Sequence, residues 1–166
     1  MAVVIDDLPP LVWHAELGRN LPCLWCGATH RGVQLHDLRA AVDRWRDTYH
    51  QRAWLRQLTP EVTREQEDRL LLTVARLDGV SFPTTAGLAW RWLRGRDAHV
   101  SRREHARRLE RPEQAYCAEV VAATMADMGM LDPGYAVNWY DPGTFWSGEF
   151  LPLTPGWSLG DEIAVG

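Results

Sequence analysis

The sequence predicts an α+β fold, and three observations carry that expectation. The first 35 residues read as short strands separated by turn residues. Two amphipathic helices follow, and the last third holds one more helix and a turn-rich tail that ends in a strand. At 166 residues with 46% apolar composition, the chain can bury enough surface for one self-sufficient core. One domain is therefore expected over residues 1–166.

In chain order, the strand segments are Ala2 to Ile5, Leu11 to His14, Leu21 to Cys26 and Val33 to Leu35. Pro9, Pro10, Gly18, Asn20 and Gly32 punctuate them. Leu35, Leu38, Ala41, Val42 and Trp45 then recur at helical spacing, with Asp37 near the start, giving a helix to about Tyr49. Ala53 to Leu58 alternates as another strand. Thr59, Pro60 and Glu61 offer an N-cap, an N1 proline and an early acid, so the next helix is expected from there to about Leu77, before Gly79.

The pattern weakens between Val80 and Pro112. Leu88, Trp92 and Leu93 suggest a short aromatic helix, and residues 95–112 read as an exposed helix or a mobile insertion. His99 and His105 lie in that arginine-rich stretch and are expected to face solvent. From Tyr116 the signal sharpens. Cys117, Val120, Val121, Thr124, Met125 and Met128 share one face, and Gly129 is placed to end the helix. The tail carries Asp132-Pro133-Gly134, Asp141-Pro142-Gly143 and Thr154-Pro155-Gly156 turns and closes in a strand over Glu162 to Val165.

Composition removes several function classes. A net charge of -4 argues against a nucleic-acid binder, which would carry a basic stripe. All 18 basic residues are arginine, so no lysine is available as a Schiff-base or P-loop group. Met1 to Pro10 does not read as a signal peptide, and no window reaches the roughly 18 apolar residues of a membrane span, so a cytoplasmic or virion-associated location is expected. Three cysteines are too few, and two of them too close, for a disulfide framework.

Cys117 opens a helix, where unpaired backbone N–H groups and the helix dipole favour a thiolate and can also bind an oxyanion. One location thus serves both needs of acyl transfer. The plain alternative is a small buried hydrophobe sharing a stripe with Val121 and Met128. Tyr116-Cys117-Ala118-Glu119-Val120-Val121, followed by Met128-Gly129-Met130-Leu131 and Asn138 to Trp146, resembles the nucleophile half of the circularly permuted, NlpC-type papain-like cysteine hydrolases (YiiX/YaeF-like). The likeness extends more weakly through Gly32-Val33-Gln34-Leu35, over about two thirds of the chain.

The resemblance implies a permuted papain-like fold and a thiol hydrolase or acyltransferase with Cys117 as nucleophile. Its substrate would be an amide bond in a peptide, peptidoglycan stem or lipid-like molecule. In that family the base is a histidine on an early strand, with an orienting polar residue on the next. Two alignments stand. In one, Ala2 to Ile5 is the histidine strand, the chain begins just after the histidine position, and His14 falls at the orienting position. In the other, His14 is itself the base and Cys26 stands near the orienting position. A degenerate, non-catalytic relative, such as a structural component of a bacteriophage tail held by protein partners, is the rival from another class.

Two further sets bear on cofactors. Cys23, Cys26, His30 and His36 form a Cys-x2-Cys-x3-His-x5-His series with enough ligands for a zinc ion. Leu21 to Cys26 reads as a strand whose alternate residues face opposite ways, so no metal and no other cofactor is expected. The nine tryptophans, with Trp139, Trp146 and Trp157 in the tail, suit core filling more often than a sugar- or lipid-binding groove.

Overall fold

A computed structural model describes residues 1–5, 8–18, 20–82 and 117–165. The aromatic helix and the insertion expected between 83 and 112, with His99 and His105, lie outside the described residues. The described part is α+β: two small antiparallel sheets and three α-helices.

The first sheet has the order β1-β2-β3, with β1 Ala2–Val3, β2 Leu11–Glu16 and β3 Gly32–Asp37. Both β2 and β3 are buried along their first five residues, so they carry apolar or uncharged residues on both faces instead of alternating. Helix α1, Leu38–Asp47, follows β3 directly; Asp37 caps it by accepting the Ala40 N–H. Strand β4, Ala53–Thr59, pairs with the last strand, β5 Ser158–Val165, as a two-stranded ribbon. The Arg56 guanidinium pins that ribbon to the tail by donating to the Gly160, Phe145 and Leu159 carbonyls at 2.7, 2.7 and 3.0 Å.

Helix α2, Arg64–Leu77, starts later than Thr59-Pro60 suggested. β4 continues through Thr59, and the cap is Thr63, whose side chain and that of Gln66 exchange bonds with each other's backbone N–H in a capping box. Helix α3 is described over Cys117–Asp127 and ends where the sequence placed it, with Gly129 in the left-handed region at φ +76°. Leu21 to Cys26 is a correction. These residues form a turn and not a strand, and Leu24 and Trp25 are half exposed.

The sheet is covered on both faces, and strand pleating decides what each side chain meets. Leu11, Trp13 and Ala15 of β2 and Val33 and Leu35 of β3 join the main core with Leu70, Val74 and Leu77 of α2 and Val120 and Met125 of α3. Trp13 is fully buried and donates its indole N–H to Thr124 Oγ1 at 3.1 Å, tying β2 to α3. The alternate residues Val12, His14, Gln34 and His36 are buried as well, beneath α1. Asp127, at the end of α3, accepts from Thr73 Oγ1 at 2.5 Å and from Arg76, which locks α3 to α2. No helix among the described residues is long and apolar enough to cross a membrane.

Candidate functional site

Cys117 is the first residue of α3 and is partly buried against the core. Its own backbone N–H and that of Ala118 favour the thiolate, as backbone donors in the first turn of a helix do. Burial nevertheless pushes the thiol above its ordinary value, outweighing those N–H groups and the positive charge at Met1. Glu119, in the same first turn, is buried, where a carboxylate complements the helix dipole.

Met1 is the residue of the first sheet edge that comes near Cys117. It extends β1 by one residue and forms a reciprocal pair with Trp13: the ammonium donates to the Trp13 carbonyl at 2.7 Å and the Trp13 N–H to the Met1 carbonyl at 2.8 Å. Directly opposed residues share a face, so Met1 sits on the α3 side with Trp13. Burial lowers its ammonium to about 6, with the charge of Cys117 opposing that shift.

His14 lies on the opposite face. Its Nε2 is 3.0 Å from His36 Nδ1, and its ring meets Trp45 of α1 edge-on at 5.5 Å. Glu16 Oε2 lies 3.8 Å from both imidazoles, and Arg44 lies 3.7 Å from the other carboxylate oxygen. One imidazole must donate and the other accept, so the pair is built for two neutral rings. Burial, the Met1 charge and His36 together lower His14 to about 3. Burial also lowers His36 and raises Glu16. Among the described residues no hydrogen bond joins His14 to Cys117; the structure places them on different sides of the sheet.

The cysteine-histidine series is divided differently from its sequence order. Cys23, Cys26 and His30 come together, but the fourth member is Asp78 at the C-cap of α2, and the four donor atoms lie within 4.8 Å of one another. His36 belongs instead with His14 and Glu16, a second group whose donors meet the same distance. In that second group Arg44 already supplies a positive charge to Glu16, so a cation there would have to compete with it. Sequence spacing could not have found Asp78, because it lies far along the chain from the cysteines.

In the tail, Trp139 packs on Tyr135 and Tyr140, with ring centroids 4.7 and 5.2 Å apart, and Trp146 meets Trp54 at 5.8 Å. An open groove of about 440 Å³ there is lined by Trp139, Asp141, Gly143, Thr144, Glu149 and Phe150. No family model matches this sequence, and no curated protein or solved structure matches it either.

Proposed function

We propose that the chain is a permuted papain-like thiol hydrolase or acyltransferase that cleaves an amide bond of a peptide, peptidoglycan stem or lipid-like substrate, releasing the amine and passing the acyl group from the enzyme thiol to water or another acceptor. Cys117 is the attacking group. The observation that carries this reading is the partly buried sulfur in the first described turn of α3, where the Ala118 backbone opposes the rise that burial gives the thiol. The same end of the helix supplies donors for a developing oxyanion. The proton acceptor must come from the α3 side of the sheet, because His14 is engaged with His36 and Trp45 on the other. This counts against the alignment that makes His14 the base.

One observation favours a second reading, a non-catalytic structural or interaction protein on the same fold, of the kind a phage tail uses. The thiol is raised by burial, and no imidazole hydrogen-bonds to it among the described residues. Challenge with an activated acyl donor separates the two. The enzyme reading expects a thioester on the Cys117 peptide by mass spectrometry, turned over with time and absent in Cys117→Ala. The second reading expects no adduct on that peptide.

A further inference from the structure

We propose that Cys23, Cys26, His30 and Asp78 form a structural zinc site that fastens the β2–β3 connection to the end of α2. The site is separate from Cys117 and does not depend on the acyl-transfer reading.

The donor set is two thiols, one imidazole and one carboxylate, each supplying one atom, with all four atoms inside 4.8 Å. Sulfur, nitrogen and oxygen in that proportion suit zinc, which takes four such ligands tetrahedrally in structural sites. The spacing of the atoms fits as well. With bonds of about 2.3 Å to sulfur and about 2.0 Å to nitrogen or oxygen, tetrahedral angles separate a sulfur from either by about 3.5 Å. Cys26 Sγ and His30 Nε2 are 3.5 Å apart, and Cys23 Sγ and Asp78 Oδ1 are 3.1 Å apart. Both pairs thus stand near the separation a shared ion requires, and on binding the thiol proton that Cys23 now gives to Asp78 is replaced by the ion.

Three independent features show the site is built and not a chance meeting. First, the segment after Cys23 folds into a knuckle. The Gly27 N–H donates to the Cys23 carbonyl at 2.7 Å, the Cys23 N–H to the Ala28 carbonyl at 2.9 Å, and Gly27 takes φ +74°, a conformation that favours glycine. That knuckle turns both sulfurs to one side.

Second, the Leu35 backbone N–H donates to Cys23 Sγ at 3.4 Å. A neutral thiol is a weak acceptor, whereas a metal-bound thiolate uses several such donors. Third, His30 Nδ1 faces the Arg31 carbonyl at 3.4 Å, which favours the tautomer with Nε2 unprotonated and turned toward Cys26.

Asp78 is held in place from its own side. The Val33 N–H donates to the Val80 carbonyl at 2.8 Å and the Gly79 N–H to the Val33 carbonyl at 2.9 Å, so the residues after α2 are stitched to β3. The approach is so close that a Cβ on Gly32 would lie 2.0 Å from the Val80 oxygen. Cys23 is fully buried while Cys26 is exposed, which gives an ion a path in. Loading one Zn²⁺ releases two thiol protons and leaves two thiolates, one carboxylate and a neutral imidazole around the ion, so affinity rises with pH. Four protein ligands leave no open position, which makes the ion structural and not catalytic.

The test uses the full chain, purified with reductant and dialysed against a weak chelator. The expected results are about one zinc per chain and, on Co²⁺ titration, the thiolate-to-cobalt charge-transfer and tetrahedral ligand-field bands. The exposed position of Cys26 makes Cys26→Ser a variant that keeps the fold; it should lose the zinc and the cobalt bands while its far-ultraviolet circular dichroism is unchanged. Asp78→Asn should weaken binding at least 10-fold, and Cys117→Ala should leave it intact. With free zinc at about 100 times Kd, Tm should rise by roughly 5–10 °C in the wild type and not in Cys26→Ser. Zinc content and cobalt spectrum unchanged in Cys26→Ser, or no cobalt binding by the reduced wild type, would overturn the proposal.

Discussion

Replacing Thr124 by Val tests whether the buried link between β2 and α3 holds that helix in place. Trp13 and Thr124 are both completely shielded from solvent. The indole N–H donates to Thr124 Oγ1 at 3.1 Å, and that hydroxyl donates to the Val120 carbonyl at 2.7 Å. Valine keeps the shape but removes the acceptor, stranding a buried donor at a cost of about 1–3 kcal/mol. The added methyl recovers up to about 0.8 kcal/mol of apolar burial. The net loss is about 1–2 kcal/mol, or roughly 2–8 °C in Tm for a chain of this size.

Urea unfolding of wild type, Thr124→Val, Trp13→Phe and the double variant completes a cycle. In the Trp13→Phe background no indole remains to strand, so Thr124→Val should cost nothing, giving a coupling of about 1–2 kcal/mol. Equal costs on both backgrounds, or a higher Tm in Thr124→Val alone, would refute the reasoning.

Acid should weaken the fold before the ordinary carboxylates titrate. His14 sits at about 3 when folded against 6.5 for an exposed imidazole, so between those values the unfolded chain binds the extra proton. The His14 contribution is then complete above about pH 6.5 and falls as pH drops, with a slope of up to about 1.4 kcal/mol per unit from this residue. Glu16, raised by burial, works in the opposite direction, while His36 and the Met1 ammonium, both lowered by burial, add to the fall, so urea midpoints between pH 7 and 5.5 read these buried cationic groups together. A flat midpoint over that window would contradict it. Asp127→Asn should cost about 1–2 kcal/mol by urea unfolding, because its Oδ2 accepts from both Thr73 and the partly exposed Arg76. An unchanged midpoint would show that this link between α2 and α3 is not energetically significant.

The C-terminal end of α3 was readable because it is a local signal, a glycine that takes φ +76° just past the last turn. The face on which His14 lies was not. Leu11-Val12-Trp13-His14-Ala15 is buried on both sides, so no alternation marks inside from outside. Only the packing of Trp13 on Thr124 fixes the parity, and that contact spans most of the chain. Leu21 to Cys26 misled for a related reason: an apolar run read as a strand is a cysteine turn whose Leu24 and Trp25 point outward. Thr59-Pro60 carried a valid helix-start signature, but Thr63 and Gln66 carried a stronger one, and strand pairing with β5 claimed Thr59. Asp78 joins Cys23 through the crossing of α2's end over β3, a tertiary event with no spacing rule.

The central claim is that Cys117 accepts acyl groups at the start of α3. Its most direct test is intact-mass and peptide analysis after brief exposure of the full chain to an activated thioester or aryl ester at pH 7, alongside Cys117→Ala. The account predicts an acyl adduct on the Cys117 peptide that forms in the wild type, decays as product is released and never appears in the variant. An unmodified Cys117 in a protein whose exposed Cys26 is acylated would contradict it.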